Sequence, residues 1–386
     1  MLPSPSRVAA LLGLGLLTGT APAPAVRPIS PQPVSHARSG AQATPVAVHS
    51  TSTPPPHVPG GGSILFLAGQ GESVAVIRSN GRVESVASAP GDLAWDPAVR
   101  GAVIVRTTAT PHVQTRLFER RHGRWVRTRR WRAGADYYGR LSPDGRWMVS
   151  NAFRHGQEQT TIHAIRRDGR ERVFPGSGGH PLSWTPDGGG VLIDAGPETG
   201  LVRWDIASGA VRSFLTEDRV VAAIPGAADA YLDDANGLSW SPLGGYFVTR
   251  LYWMTKERPR SHSGILVGSS SGEVVSVVPL HRWTVTIPTW SPVRPEFVFY
   301  DKRHRLGRGT LFRFDLRTRR RYVVIRHAPE TWWVAWSPRG DWMLLSAYHR
   351  DWLFVSRDGR RRVRYPMEGE FPRWATPGPE ILMPVC

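Results

Sequence analysis

Residues 182–194 read Leu182-Ser-Trp184-Thr-Pro186-Asp-Gly188-Gly-Gly-Val191-Leu-Ile-Asp194. An apolar stretch, a tryptophan, a proline-centred tight turn and a second apolar stretch follow one another without a break. Proline presets the first turn dihedral and glycine takes the positive φ that a tight turn needs, so the segment is predicted as two strands joined by a turn. The same pattern stands at Trp95-Asp-Pro97, Leu141-Ser-Pro143-Asp-Gly145, Trp240-Ser-Pro242, Trp290-Ser-Pro292, Trp336-Ser-Pro338 and Trp374-Ala-Thr-Pro377. Roughly 40 to 55 residues separate successive marks, the repeat length of a β-propeller built one blade at a time.

Each repeat is predicted to hold four strands. In the second they are residues 139–142, 146–151, 160–166 and 171–174, with turns at 143–145 and 167–169. Ala207-Ser-Gly209, Ser271-Gly272 and Arg357-Asp-Gly359 supply the same turn chemistry in later hairpins. Residues 63–89 read as three strands with no mark before them, and the mark at 371–375 has almost nothing after it. Pairing the two ends closes a ring and removes an open sheet edge. The expected fold is all-β: a seven-bladed β-propeller of four-stranded antiparallel blades, closed by its N- and C-terminal strands. The ambiguous last turn leaves six or eight blades open. The tryptophans read as packing between adjacent blades, since large aromatics dominate core burial.

The pattern of tryptophan, serine or threonine, proline, aspartate and glycine before an apolar strand resembles the WD40-like repeat of the TolB-type β-propellers of exported bacterial proteins. The resemblance covers residues 63–386 and implies the propeller fold. Ser142–Gly145 and Thr185–Gly188 keep the full turn, whereas Leu243, Val293 and Arg339 stand where the repeat has aspartate.

Residues 1–25 are expected to be a signal peptide, with Arg7, an apolar run over 8–18 and the small residues Ala23-Pro-Ala25 before cleavage. That run is too short for a transmembrane helix of about 20 residues, so no membrane span is expected in the mature chain. Residues 26–62, rich in Pro, Ala, Ser and Thr, read as a disordered linker, and the propeller occupies 63–386. Cys386 is the only cysteine, so no intrachain disulfide can form. The formal charge is +18, and Lys256 and Lys302 are the only lysines. Codon bias accounts for arginine over lysine. It does not account for the excess over acids, and such a surface attracts polyanions.

Strand direction assigns loops to faces. One face is expected to carry His112, His155, His262, His304 and His349 between second and third strands, and His180, His281 and His327 between blades. Arg154, Arg260, Arg303, Arg305 and Arg350 accompany them, with Tyr137, Tyr138, Tyr252, Trp253, Trp283, Trp332 and Trp333 as aromatic platforms. Rings stack on sugars and guanidinium forks grip carboxylate or phosphate, so this face is the expected binding surface. Binding of an anionic ligand there is expected to strengthen as pH falls through the histidine range near about 6.5. Asp136, Asp233, Asp234 and Glu330 are weak candidates for a calcium site at the channel mouth. Gly268-Ser-Ser270-Ser-Gly272 matches the motif of serine hydrolases but lies between two apolar stretches, which predicts a hairpin turn instead.

The expected function is that of an exported, non-enzymatic propeller, a monomer, which binds a protein partner or an anionic cell-envelope polymer. No cofactor is expected. The alternative is a calcium-dependent, lactonase-like hydrolase or lyase at the channel mouth. Export disfavours nucleic acid.

Overall fold

The computed structural model describes residues 57–68, 73–88, 93–99, 102–107, 114–122, 124–132, 136–154, 157–164, 171–176, 179–196, 199–232, 238–255, 261–281, 288–302, 308–329, 331, 333–346, 351–367 and 369–374. Sheet I begins with β1 (Ile64–Ala68), β2 (Ser73–Ile77) and β3 (Val83–Ser88), and sheet II holds β4 (Leu93–Val99), β5 (Ala102–Thr107), β6 (Gln114–Arg121) and β7 (Arg124–Arg132). Sheet III holds β8 (Asp136–Leu141), β9 (Trp147–Arg154), β10 (Gln157–Ala164) and β11 (Glu171–Val173). Sheet IV holds β12 (His180–Trp184), β13 (Gly190–Asp194), β14 (Leu201–Asp205) and β15 (Val211–Leu215). The short helix α1 (Glu217–Ala222) leads into sheet V, made of β16 (Ala227–Leu232), β17 (Leu238–Trp240), β18 (Tyr246–Thr255), β19 (His262–Ser269) and β20 (Val274–Leu280). Sheet VI holds β21 (Thr289–Trp290), β22 (Glu296–Asp301), β23 (Gly309–Asp315) and β24 (Arg320–Ala328). Sheet VII holds β25 (Trp333–Trp336), β26 (Trp342–Ser346), β27 (Trp352–Ser356) and β28 (Arg362–Tyr365), and β29 (Glu370–Trp374) returns to complete sheet I.

This is a β-propeller of antiparallel sheets. The expectation of seven uniform four-stranded blades is corrected: six sheets are four-stranded and sheet V carries five strands. The reason lies in β18. β16 pairs with its C-terminal half (Leu251–Thr255) and β17 with its N-terminal half (Phe247–Thr249), so two short strands share one position in the sheet.

Closure is as expected: Ile64 pairs with Trp374 and Leu65 with Arg373 across β1 and β29. Among the first strands of the sheets, β4 touches β8, β12 touches β17, β17 touches β21, β21 touches β25 and β25 touches β29. The tryptophan marks tie these strands together. The Trp184 indole donates to the Arg140 carbonyl at 3.0 Å, Trp290 to Ser239 at 2.9 Å and Trp336 to Thr289 at 3.0 Å. Each acceptor lies one residue before the mark of the preceding repeat, so these inner strands run in one sense and in one register.

Sheets IV to VII each bury both faces against their neighbours. One core cluster joins Met148 and Ile162 of sheet III to Trp184, Ile193 and Trp204 of sheet IV. Another joins Val248 and Ile265 of sheet V to Trp290, Phe297 and Phe314 of sheet VI. Turns mesh at the opposite end from the histidines. The amides of Ile206, Ser270, Leu316 and Arg357, each just past a third strand, bond to the carbonyls of Gly189, Gly245, Pro295 and Asp341 in the first turn of the same sheet. Residues 57–62, which composition assigned to the linker, are held against the ring. Val58 is buried, its amide bonds to Ser79, and Gly61 accepts the Trp374 indole at 2.8 Å. Among the described residues no helix is long and apolar enough to cross a membrane.

Candidate functional site at one end of sheet V

The expected serine motif is a hairpin turn. The Gly272 amide bonds to the Ser269 carbonyl at 3.0 Å and the Ser269 amide to Glu273 at 2.8 Å, between β19 and β20.

Four of the expected histidines lie among the described residues, and three of them stand within strands and not in the expected loops. His180 opens β12, His262 opens β19, His281 follows β20 and His327 stands one residue before the end of β24. All four therefore lie at the same strand end of their sheets. Several assignments to loops are corrected. Asp136, Tyr137 and Tyr138 belong to β8, Arg154 to β9, Tyr252 and Trp253 to β18, and Trp333 to β25, where it is buried. The marks locate turns but not how far the pairing continues beyond them. The ten residues of β18 pair through to Thr255 because β16 supplies a partner for their second half. His112, His155, His304, His349, Arg260, Arg303, Arg305, Arg350, Trp283, Trp332, Asp233, Asp234 and Glu330 lie outside the described residues.

Sheet V brings several of the expected residues together. Tyr231 of β16 lies opposite Tyr252 of β18, and Ser263 of β19 lies opposite both Tyr252 and Leu280. The two tyrosine rings stack at 5.3 Å with planes 22° apart. Arg250, two residues before Tyr252 and hence on the same face, is buried and sets its guanidinium 4.8 Å from the Tyr252 ring. Tyr231 stands 50% exposed, so the stack presents a flat aromatic surface to solvent, backed by the buried Arg250. On the other face Trp253 is buried and stacks on His262 at 5.5 Å and 17°. The His262 Nε2 is buried with no hydrogen-bond partner among the described residues.

His281 continues this end of the sheet. Its ring Nδ1 lies 2.7 Å from Asp301 Oδ2 and its amide donates to Asp301 Oδ1 at 2.9 Å, while Ser263 Oγ donates to its carbonyl at 3.2 Å. Asp301 ends β22 in the neighbouring sheet, with its side chain buried. Assigning the proton to Nδ1 aims Nε2 outward from a ring whose side chain is 43% exposed. A carboxylate that fixes one ring nitrogen leaves the other oriented for an acid, base or ligand role. Lys302, next along the chain, is buried. His180 is held differently, with Nδ1 3.3 Å from the Asn151 amide nitrogen. His327 adopts φ 53°, a left-handed backbone.

Glu217, at the start of α1, faces Asp229 of β16. Burial and the Asp229 carboxyl push the Glu217 carboxyl above its ordinary range. Among the described residues no group of three or more histidine, cysteine or acidic side chains could hold a metal ion.

Sequence reasoning missed Asp301, Lys302 and the burial of Arg250. Asp301-Lys302 breaks the apolar run Phe297-Val-Phe-Tyr300 with two charges, a signal for a strand end that carries chemistry.

No family model matches the sequence, and no curated protein is similar to it in sequence. Many solved structures resemble its fold. A candidate 6-phosphogluconolactonase from Bacteroides uniformis is similar with TM-score 0.52 and 14% identity, over 80% of this chain and 97% of that one. A protein from Lactobacillus plantarum is similar with TM-score 0.51 and 13% identity, over 83% and 99%. TolB from Acinetobacter baumannii is similar with TM-score 0.45 and 15% identity, over 81% of this chain and 66% of that one, so the chain spans just under two thirds of that protein. At these identities the likeness is one of fold: the chain is a β-propeller.

Proposed function

We propose that the chain is an exported, non-enzymatic binding propeller that recognises a protein partner or an anionic cell-envelope polymer through the histidine-bearing end of its sheets. The observation that supports this reading is the Tyr231–Tyr252 stack with Arg250 beside it. Ring faces pack on sugar or peptide planes. The charge of +18 draws such a partner in from solution. Export rests on the apolar run over 8–18 and cleavage after Ala25, which delivers a monomer, free of cofactor, to the periplasm or beyond. A polyuronic acid titrated into the protein tests this. Tyr231→Ala is expected to weaken binding at least fivefold, and rising salt to weaken it further; equal affinity in the variant removes the stack from the site.

The second reading is a calcium-dependent, lactonase-like hydrolase, and His281 held by buried Asp301 favours it. The ring would accept a proton from the attacking water through Nε2. Hydrolysis of a lactone that stops in His281→Ala and on removal of calcium would establish this reading over the first.

A further inference from the structure

The arginine-rich turns lie at the opposite end of the sheets from the histidines. We propose that a cleft between sheets VI and VII at that end binds the phosphate groups of an anionic chain, at a site separate from the aromatic stack. The cleft measures about 330 Å³ and is lined by Val293, Arg294, Pro295, Glu296, Asp315, Arg317 and Arg357. Four turns build it. The Leu316 amide bonds to Pro295, the Arg357 amide bonds to Asp341, and Gly340 packs against Val293, so the first and last turns of both sheets mesh into one surface.

Charge is unevenly used there. Glu296 is buried, and Arg357 grips both its oxygens, with Nε at 2.5 Å and Nη2 at 2.6 Å. Arg313 approaches the same carboxylate at 3.4 Å, so two guanidinium groups neutralise one acid. The Glu296 hydrogen bonds, offset in part by burial, hold Arg357 above the ordinary guanidinium range. Asp315 spends one carboxylate oxygen on the amides of Arg317 and Thr318. Arg294 and Arg317 are exposed, and among the described residues their side chains have no partner. Three arginines thus line the cleft against two acids, and two of the three are free to bind.

The geometry selects phosphate over carboxylate. A carboxylate offers one edge to a guanidinium fork; Arg357 takes that edge of Glu296, and Arg313 reaches the same carboxylate only at 3.4 Å. Arg294 and Arg317 come from different turns, and a tetrahedral phosphate offers an edge to each. The surface around the cleft extends the positive field: Arg319, Arg320, Arg339 and Arg360 are exposed on the same turns. Arg339 and Arg360 have only loose pairs, at 3.3 Å to Asp341 and 3.7 Å to Asp358. A single phosphate occupies only part of the cleft, and a chain of them runs on over these residues.

Binding of inorganic phosphate and of fluorescent polyphosphate to the full chain, at constant ionic strength, tests the proposal. Arg294→Ala with Arg317→Ala is the test variant. Arg212→Ala with Arg326→Ala removes the same charge from other exposed strands and is the control. The test variant is expected to bind polyphosphate at least tenfold more weakly, and the control within twofold of the parent. Polyphosphate binding much tighter than inorganic phosphate identifies a polymer as the source, and equal binding identifies free phosphate; either keeps the site. Equal loss in both variants, or no binding by the parent, overturns it. Because the stack lies at the other end, Tyr231→Ala leaves this binding unchanged.

Discussion

At the residue scale, the repeated tryptophan is more than apolar volume. At Trp184, Trp290 and Trp336 the indole carries a hydrogen bond to the inner strand of the preceding sheet, and Trp184 shows the cost of losing it. Trp184→Phe keeps an aromatic ring but leaves the buried Arg140 carbonyl without its 3.0 Å donor. The loss expected is about 1–2 kcal/mol, read from the urea midpoint. Glu217 makes a second prediction. Burial and Asp229 raise its carboxyl, so the fold favours the protonated form. That stabilisation is complete below the ordinary value of about 4.5 and is lost as pH rises through the raised one. Glu217→Gln mimics the protonated form. It should therefore melt slightly higher than the parent at pH 7 and level with it near pH 4, in scans at both pH values. Asp187 has the opposite sign. Burial alone would raise it, but the Thr185 hydroxyl, the Gly189 amide and Arg203 outweigh that and lower it. Its contribution is present above about 3.8 and fades as acid takes the pH through the lowered value.

At the element scale, the turn between third and fourth strands abuts the sheet before it. Gly272 takes φ 85°, and a Cβ there would collide with the Phe214 carbonyl of β15. Gly209 takes φ 75° in the equivalent turn of sheet IV but faces open space. Gly272→Ala is expected to cost about 2–4 kcal/mol and Gly209→Ala about 1 kcal/mol, by denaturant unfolding. Equal losses would mean that only the backbone angle matters. The turns were legible in the sequence because proline, aspartate and glycine act locally. The strand lengths were not, since pairing depends on what the neighbour offers. Tyr252 and Trp253 looked like loop residues until β16 supplied the partner for that half of β18. The site divides in the same way. That His180, His262, His281 and His327 share one strand end follows from strand direction, whereas His281 and Asp301 belong to different sheets and meet only when those sheets pack.

At the scale of the whole molecule, stability depends on a closure made by residues far apart in the chain. β29 fills the inner position of sheet I, and its neighbours hold it from both sides. Trp333 of sheet VII donates to Pro372 at 2.7 Å, and Arg373 lies 5.0 Å from the Trp333 ring. Trp374 is buried, meets Phe354 edge-on at 5.8 Å and bonds to Gly61 at 2.8 Å. One side chain thus joins sheet VII, the closing strand and the segment that enters the ring. Trp374→Ala should cost about 3–5 kcal/mol, as removal of a large buried ring does elsewhere. Its unfolding should remain a single transition, because β29 keeps its backbone pairs with β1. Removing residues 370–386 is a different perturbation. It strips β1 of that partner and leaves an open edge, which invites pairing with a second molecule. The truncated protein is expected to lose the single transition and to associate, visible as a broadened urea curve and early elution on size exclusion. A truncated chain that stays monomeric and unfolds as sharply as the parent would mean that each sheet stands by itself, and that closure holds nothing the neighbouring sheets do not already hold.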